Sequence, residues 1–473
     1  MISEITQKLK KKEISCVEIT SQYLEKVEKN NPEINAFITV TKKEAMQTAK
    51  NVDAEIANSN DLEGLFIKKP LLGIPIAHKD IFTTKGIETT AGSSILKGYI
   101  PPFNATVVDK LNNSGVVTLG KLNCDAFAHG TTGENSDFGP TKNPYNLLRV
   151  AGGSSSGTAA SVASGMTVFS TGTDTGGSLR NPASFTNIVA IKPTYGRVSR
   201  YGIIAMASSL DSIGHITINV EDSAIILQQT AGFDKHDATS STSEVTNYLE
   251  NINGGVKGLK IGIPKEYMTK DLDSEVKDIT TLAIKKYEEL GAEIIPISLP
   301  HTEQALAVYY IITPSEVSSN LGRFDGIRFG HNRDKFGDEA KRRIMIGTYV
   351  LSAGYYDAYY LKAQKVRTLV IEDFKKAFEN VDVILAPVVP VLPPKIGENV
   401  NDPLKLYLMD VLTVPINLAG LPALSVPAGF SKSGLPVGIQ LVGNHFAEGM
   451  LYRVGKSLEN VLKLYERRPF YAK

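Results

Sequence analysis

Eight apolar runs of three to six residues recur along the chain and constrain its fold more than any other feature. They are Ile74 to Ala77, Val116 to Leu119, Val168 to Ser170, Ile188 to Ile191, Leu259 to Ile263, Val383 to Ala386, Leu424 to Val426 and Val437 to Val442. Runs this short and rich in β-branched residues read as strands buried on both faces rather than as helices. Helical stretches such as Ser274 to Leu290 lie between many of them, an α/β pattern that needs a large mixed sheet. At the N-terminus, Ser15 with Glu18 and Thr41 with Glu44 have capping-box spacing and predict helices over roughly 15–29 and 42–58. Residues 234–255 are the most polar and least periodic, and form the candidate linker.

Two glycine-rich serine turns and a lysine carry the chemistry. Gly152 to Gly157 reads GGSSSG, Gly172 to Pro182 reads GTDTGGSLRNP, and Gly73 to Asp80 reads GIPIAHKD. A serine hydroxyl is a weak nucleophile at neutral pH and needs a base as it attacks a carbonyl. Lysine serves as that base only when neutral, which requires burial or a cationic neighbour. The apolar run Leu71 to Ala77 ahead of Lys79 predicts a buried strand ending at the site. Glycines before Ser178 let backbone N–H groups converge on one point, so Thr175, Gly176, Gly177 and Ser178 form the candidate oxyanion hole.

With these motifs the chain resembles the amidase signature family, whose catalytic unit is Ser-cisSer-Lys. The resemblance implies Lys79 as the base, Ser154 as the serine after a cis peptide bond and Ser178 as the nucleophile. Stretches Lys192 to Gly214, Ser318 to Gly330, Gly354 to Leu369 and Asn417 to Gly429 extend it over almost the whole chain. It implies one amidase domain, residues 1–473, with the N-terminal helices of about 1–60 packed on it and helices on both faces of the mixed sheet. Within the family the chain is most similar to the glutamine-hydrolysing subunits of tRNA-dependent amidotransferases. That likeness implies Arg343 on the glutamine carboxylate, Asp410 on its ammonium and Tyr309 lining the pocket. It also implies B and C partner subunits that convert Glu-tRNA(Gln) to Gln-tRNA(Gln), with ATP and Mg²⁺ at the partner and no cofactor or metal in this chain. The sequence departs from the family pattern in three places. Residues Asn123 to Gly130 read NCDAFAHG, where the pattern has an acidic residue after Asp125 and methionine in place of Cys124 and His129; the segment between Gly330 and Lys341 is short; and Ser156 replaces a glycine.

Composition sets limits on other functions. With 51 basic against 50 acidic residues the chain carries no charge footprint for nucleic acid, so tRNA contact falls to a partner. Two cysteines are too few for a disulfide framework, no apolar run is long enough to span a membrane, and the N-terminus opens on a charged helical pattern, so a cytoplasmic location is expected. Competing motifs are weaker. Ser155 is the centre of a G-x-S-x-G elbow, but Asn143 to Gly153 reads as a loop where that motif needs a strand. Gly115 to Lys121 (GVVTLGK) nearly matches a phosphate loop, yet Leu122 stands where a Ser or Thr must hold Mg²⁺, which disfavours a nucleotide-binding module. His78 is expected on the strand face opposite Lys79, in a structural role. Arg343 beside Lys341 and Arg342 has a second reading as a solvated helix charge. A stand-alone amidase acting on another small amide is the alternative within the family.

Overall fold

The eight expected strands form, and five more join them. The computed structural model describes residues 1–328, 330–400 and 402–472, so Phe329 of the 318–330 stretch and Lys473 at the end of the expected domain lie outside the described residues. The strands are β1 (Phe37–Val40), β2 (Pro75–Lys79), β3 (Val117–Leu122), β4 (Lys142–Asn143), β5 (Asn146–Val150), β6 (Phe169–Asp174), β7 (Val189–Lys192), β8 (Ser212–Thr217), β9 (Lys260–Pro264), β10 (Glu293–Ile297), β11 (Val383–Pro387), β12 (Ala423–Phe430) and β13 (Pro436–Val442). Eleven of them make one mixed sheet, in the order β1-β3-β2-β6-β8-β7-β12-β13-β11-β9-β10. Strands β3, β2 and β6 are mutually parallel, as are β11, β9 and β10, and antiparallel pairs join the two blocks.

Side chains alternate across the sheet, and both faces are covered. Ile74 and Ile76 pack into the main core, while Ala77 packs with Leu24, Val27, Ala49 and Val52 of the N-terminal helices. Each fully buried isoleucine contributes roughly 1.5–3 kcal/mol. The continuous apolar runs are therefore the strands most firmly held.

Three expectations need correction. Asn143 to Gly153 is not a loop throughout: β4 and β5 pair as a hairpin outside the main sheet. Only Val150 of β5 is buried, and Leu148 faces solvent, so no apolar run marked it. The first capping box forms, with Ser15 and Glu18 bonded reciprocally, but the helix runs over Cys16–Ile34, through Pro32 to a left-handed Asn35. The second box does not form, because the Thr41 hydroxyl donates to Thr118 O on β3 instead; helix Lys42–Asn58 starts without it. Residues 234–255 contain no helix or strand, yet Asp234 accepts from Thr106 and Ser199 hydroxyls and Tyr248 and Ile252 are buried. Among the described residues no helix is long and apolar enough to cross a membrane.

Candidate active site

Lys79 ends β2 and Ser178 follows β6, two adjacent parallel strands, so both residues lie at the same, carboxyl edge of the sheet. Helix Ser156–Ala163 leads back into β6, which puts the serine turn at its start over that same edge. The peptide bond Gly153-Ser154 is cis. Ser155 N–H donates to Ser178 O at 3.2 Å and ties the two turns together. Lys79 is fully buried, and its Nζ donates to Ser154 Oγ (2.8 Å), Thr173 Oγ1 (3.0 Å) and Ser155 Oγ (3.1 Å). Its partners are three hydroxyls and no carboxylate. Burial therefore prevails over the more distant acidic groups Cys124, Asp125, Asp211 and Asp174, and lowers the ammonium to about 8. Ser155 also donates to Thr173 O at 3.1 Å in a fully buried position, which leaves it no approach to a substrate.

The turn after β6 is held by partners far away in the chain. Asp174 makes a two-pronged pair with Arg180 (3.0 Å for each prong) and accepts from Gly177 N–H (2.8 Å), Leu179 N–H (3.2 Å) and Asn417 Nδ2 (2.9 Å). Burial alone would raise its carboxyl, but Arg180 and these donors outweigh that and hold it below the usual carboxylate range. Thr175 donates to Asp211 at 2.7 Å, and Thr413 Oγ1 donates to Gly176 O at 2.5 Å. Gly177 has φ +134, and a Cβ there would stand 2.5 Å from Thr413 Oγ1, so glycine is required on both grounds. Of the four candidate oxyanion residues, Gly177 thus has its N–H committed to Asp174. Among the described residues the N–H groups of Gly176 and Ser178 bond to nothing.

The substrate-binding candidates come together beside this turn, with one addition. Tyr309 is buried against the oxyanion turn, since a Cβ on Gly176 would lie 2.6 Å from its hydroxyl. Its neighbour Tyr310 links the other two: its hydroxyl donates to Asp410 at 3.1 Å, and the Arg343 guanidinium lies 5.7 Å from its ring centre. Burial pushes the Asp410 carboxyl well above its ordinary value, against the pull of Tyr310 and Arg343. Arg343 is only 4% exposed, which overturns its reading as a solvated helix charge. It lines a cleft of ≈ 520 Å³ with His129, Tyr310, Glu339 and Tyr407. Glu339 Oε1 accepts from Arg343 Nε (2.8 Å) and Tyr407 (3.3 Å), and Tyr407 stacks on Tyr310 at 3.9 Å.

Residues 18–452 match the family model described as Amidase. The chain belongs to the amidase family. This amidase is 52% identical over 473 residues to the A subunit of the glutamyl-tRNA(Gln) amidotransferase of Geobacter metallireducens, covering 97% of this chain and 96% of the relative. It is 47% identical over 483 residues to the protein of the same name from Geobacillus kaustophilus, covering 99% and 98%. Among solved structures, the A subunit of the glutamyl-tRNA(Gln) amidotransferase of Thermotoga maritima superposes with a TM-score of 0.80 at 42% identity, over 94% of both chains. A bacterial aryl acylamidase of the amidase signature family superposes with a TM-score of 0.87 at 27% identity, over 98% of this chain and 97% of that one.

Several residues of the amidase site carried no signal in the sequence. Asp174 and Arg180 fall inside the serine motif but look like surface charges, and Thr413, Asn417 and Asp211 meet the turn only through the fold. His78 is buried, with Nδ1 3.1 Å from Thr171 Oγ1, in the structural position expected. The near phosphate loop is β3 itself: Lys121 is buried, 3.1 Å from Asp80, and donates to Phe82 O and Thr89, out of reach of a nucleotide. Among the described residues no group of three His, Cys, Asp or Glu side chains is placed to hold a metal.

Proposed function

We propose that this amidase is the glutaminase subunit of a tRNA-dependent amidotransferase, in which it hydrolyses glutamine and supplies ammonia for making Gln-tRNA(Gln) from Glu-tRNA(Gln). The observation that carries the chemistry is the buried Lys79 amine, 2.8 Å from Ser154 Oγ at the joined serine turns. In its neutral form Lys79 accepts a proton from Ser154, which takes one from Ser178 as Ser178 Oγ attacks the side-chain carbonyl of glutamine. The carbonyl oxygen becomes an oxyanion facing the N–H groups of Gly176 and Ser178. The proton returns along the same relay to the amide nitrogen, the C–N bond breaks and ammonia leaves. Water then attacks the glutamyl ester, giving up its proton by that route, and glutamate departs with Ser178 restored. Arg343 pairs with the substrate α-carboxylate and Asp410 with its α-ammonium, with Tyr309 closing the pocket against Gly176.

B and C subunits complete the enzyme in this reading, in the cytoplasm, with ATP, Mg²⁺ and the charged tRNA bound by the partner and no cofactor in this chain. Names of relatives at 47–52% identity over nearly the full length support it. The test is co-purification of the chain with its partners, followed by assays of glutamine hydrolysis and of Gln-tRNA formation. Ser178→Ala abolishes both while the complex remains intact. Retained turnover in that variant removes Ser178 from the nucleophile role, and hydrolysis of aryl amides without glutamine hydrolysis assigns the chain to stand-alone amidases.

A further inference from the structure

Three buried polar atoms at the cleft have no partner among the described residues: Nδ1 and Nε2 of His129 and Nη1 of Arg343. His129 is fully buried, and an imidazole left unbonded in that state bears its full desolvation cost. The turn that presents His129 is itself strained, since Phe127 (φ 54) and Ala128 (φ 63) are consecutive non-glycine residues in the left-handed region. Such features persist where a ligand completes the site.

The chemistry of the wall defines the ligand. Arg343 lines the cleft and is fixed through Nε on Glu339, while its buried Nη1 has no partner among the described residues. Burial and the neighbouring Arg343 charge hold His129 well below its ordinary pKa, so it stays neutral and offers one N–H donor. A guanidinium edge beside an imidazole N–H suits a carboxylate. We propose that His129 is a second ligand, beside Arg343, for the α-carboxylate of the substrate, and sets this chain's preference for amides that carry one.

The inference rests on the glutaminase reading, and the experiment separates the two. The chain with its co-purified partners is assayed on glutamine and on 4-aminobutanamide, which is glutamine without the α-carboxylate, in the unaltered, His129→Met and His129→Gln forms. His129→Met raises KM for glutamine about tenfold, as expected for one lost charge-assisted hydrogen bond, and leaves kcat and the turnover of 4-aminobutanamide within about twofold. His129→Gln, which keeps a donor, holds KM within about threefold of the parent and preserves the test if the methionine variant does not fold. An unchanged KM for glutamine in His129→Met overturns the proposal, as does an equal loss on both substrates, which marks a structural role. If the unaltered complex hydrolyses other amides but not glutamine, the functional reading fails, and the proposal fails with it.

Discussion

At the scale of a single residue, Lys79 is suited to the base role proposed for it, because its surroundings contain hydroxyls where an ordinary buried lysine has a carboxylate. Compare Lys121, one strand away and equally buried, which pairs with Asp80 at 3.1 Å. Burial lowers Lys79 from 10.5 to about 8, with only distant acidic groups opposing it. The sign follows directly: a base must be neutral, the neutral fraction grows as pH rises through that value, and kcat/KM for glutamine therefore climbs between roughly pH 7 and 9 before levelling. Lys79→Arg, charged at every accessible pH, abolishes the climb along with the activity. A profile already flat across that window in the unaltered protein would take Lys79 out of the base role.

The turn Asp174 to Arg180 is the element that positions Ser178, and it is stabilised by contacts that span more than two hundred residues. Arg180 is completely buried and reaches Asp174, Gln440 (2.8 Å), Asn417 (2.5 Å) and Thr413 O (3.2 Å). Removing it strands the Asp174 carboxylate in the interior, so Arg180→Met is expected to cost about 3–5 kcal/mol in urea unfolding, with activity lost in parallel. A loss under about 1 kcal/mol would show that the pair does not hold the turn. Such distant contacts leave no mark in the sequence, whereas local patterns do. The strands that carry Lys79 and lead to Ser178 are marked by continuous apolar residues, and the serines by their glycines. Strand β8, SIGHIT, mixes small and polar residues and so carries no continuous apolar run, although it is fully buried between β6 and β7. Thr41 had the spacing of a capping residue and bonded Thr118 of the sheet instead, a tertiary partner outranking a local one. Tyr310 and Glu339 lie one residue and four residues from expected site positions, yet nothing in their immediate sequence marks the stack and the pairs that place Arg343.

Across the whole molecule, helix Cys16–Ile34 meets the C-terminal segment, which also reaches the helix that starts at the serine turn. Asn30 donates to Tyr471 O at 2.9 Å, and Arg468 Nη2 donates to Val162 O and Ala163 O, both at 2.9 Å, at the C-terminus of helix Ser156–Ala163. A cation there satisfies exposed carbonyls and opposes the negative end of the helix dipole. Arg468→Ala is accordingly expected to lower stability by about 1–2 kcal/mol in thermal unfolding, with KM for glutamine unchanged, since the residue is remote from Arg343 and Asp410. A raised KM would instead tie that corner of the molecule to substrate binding. The candidate site also divides the chain unevenly: the proposed reacting groups lie between residues 79 and 178, whereas Tyr309, Arg343 and Asp410, proposed with His129 to hold the substrate, lie between 309 and 410. Descent with modification can act on these two stretches at different tempos. Substitutions confined to the later one are expected to change which amide is accepted and to leave the residues proposed to cleave it untouched.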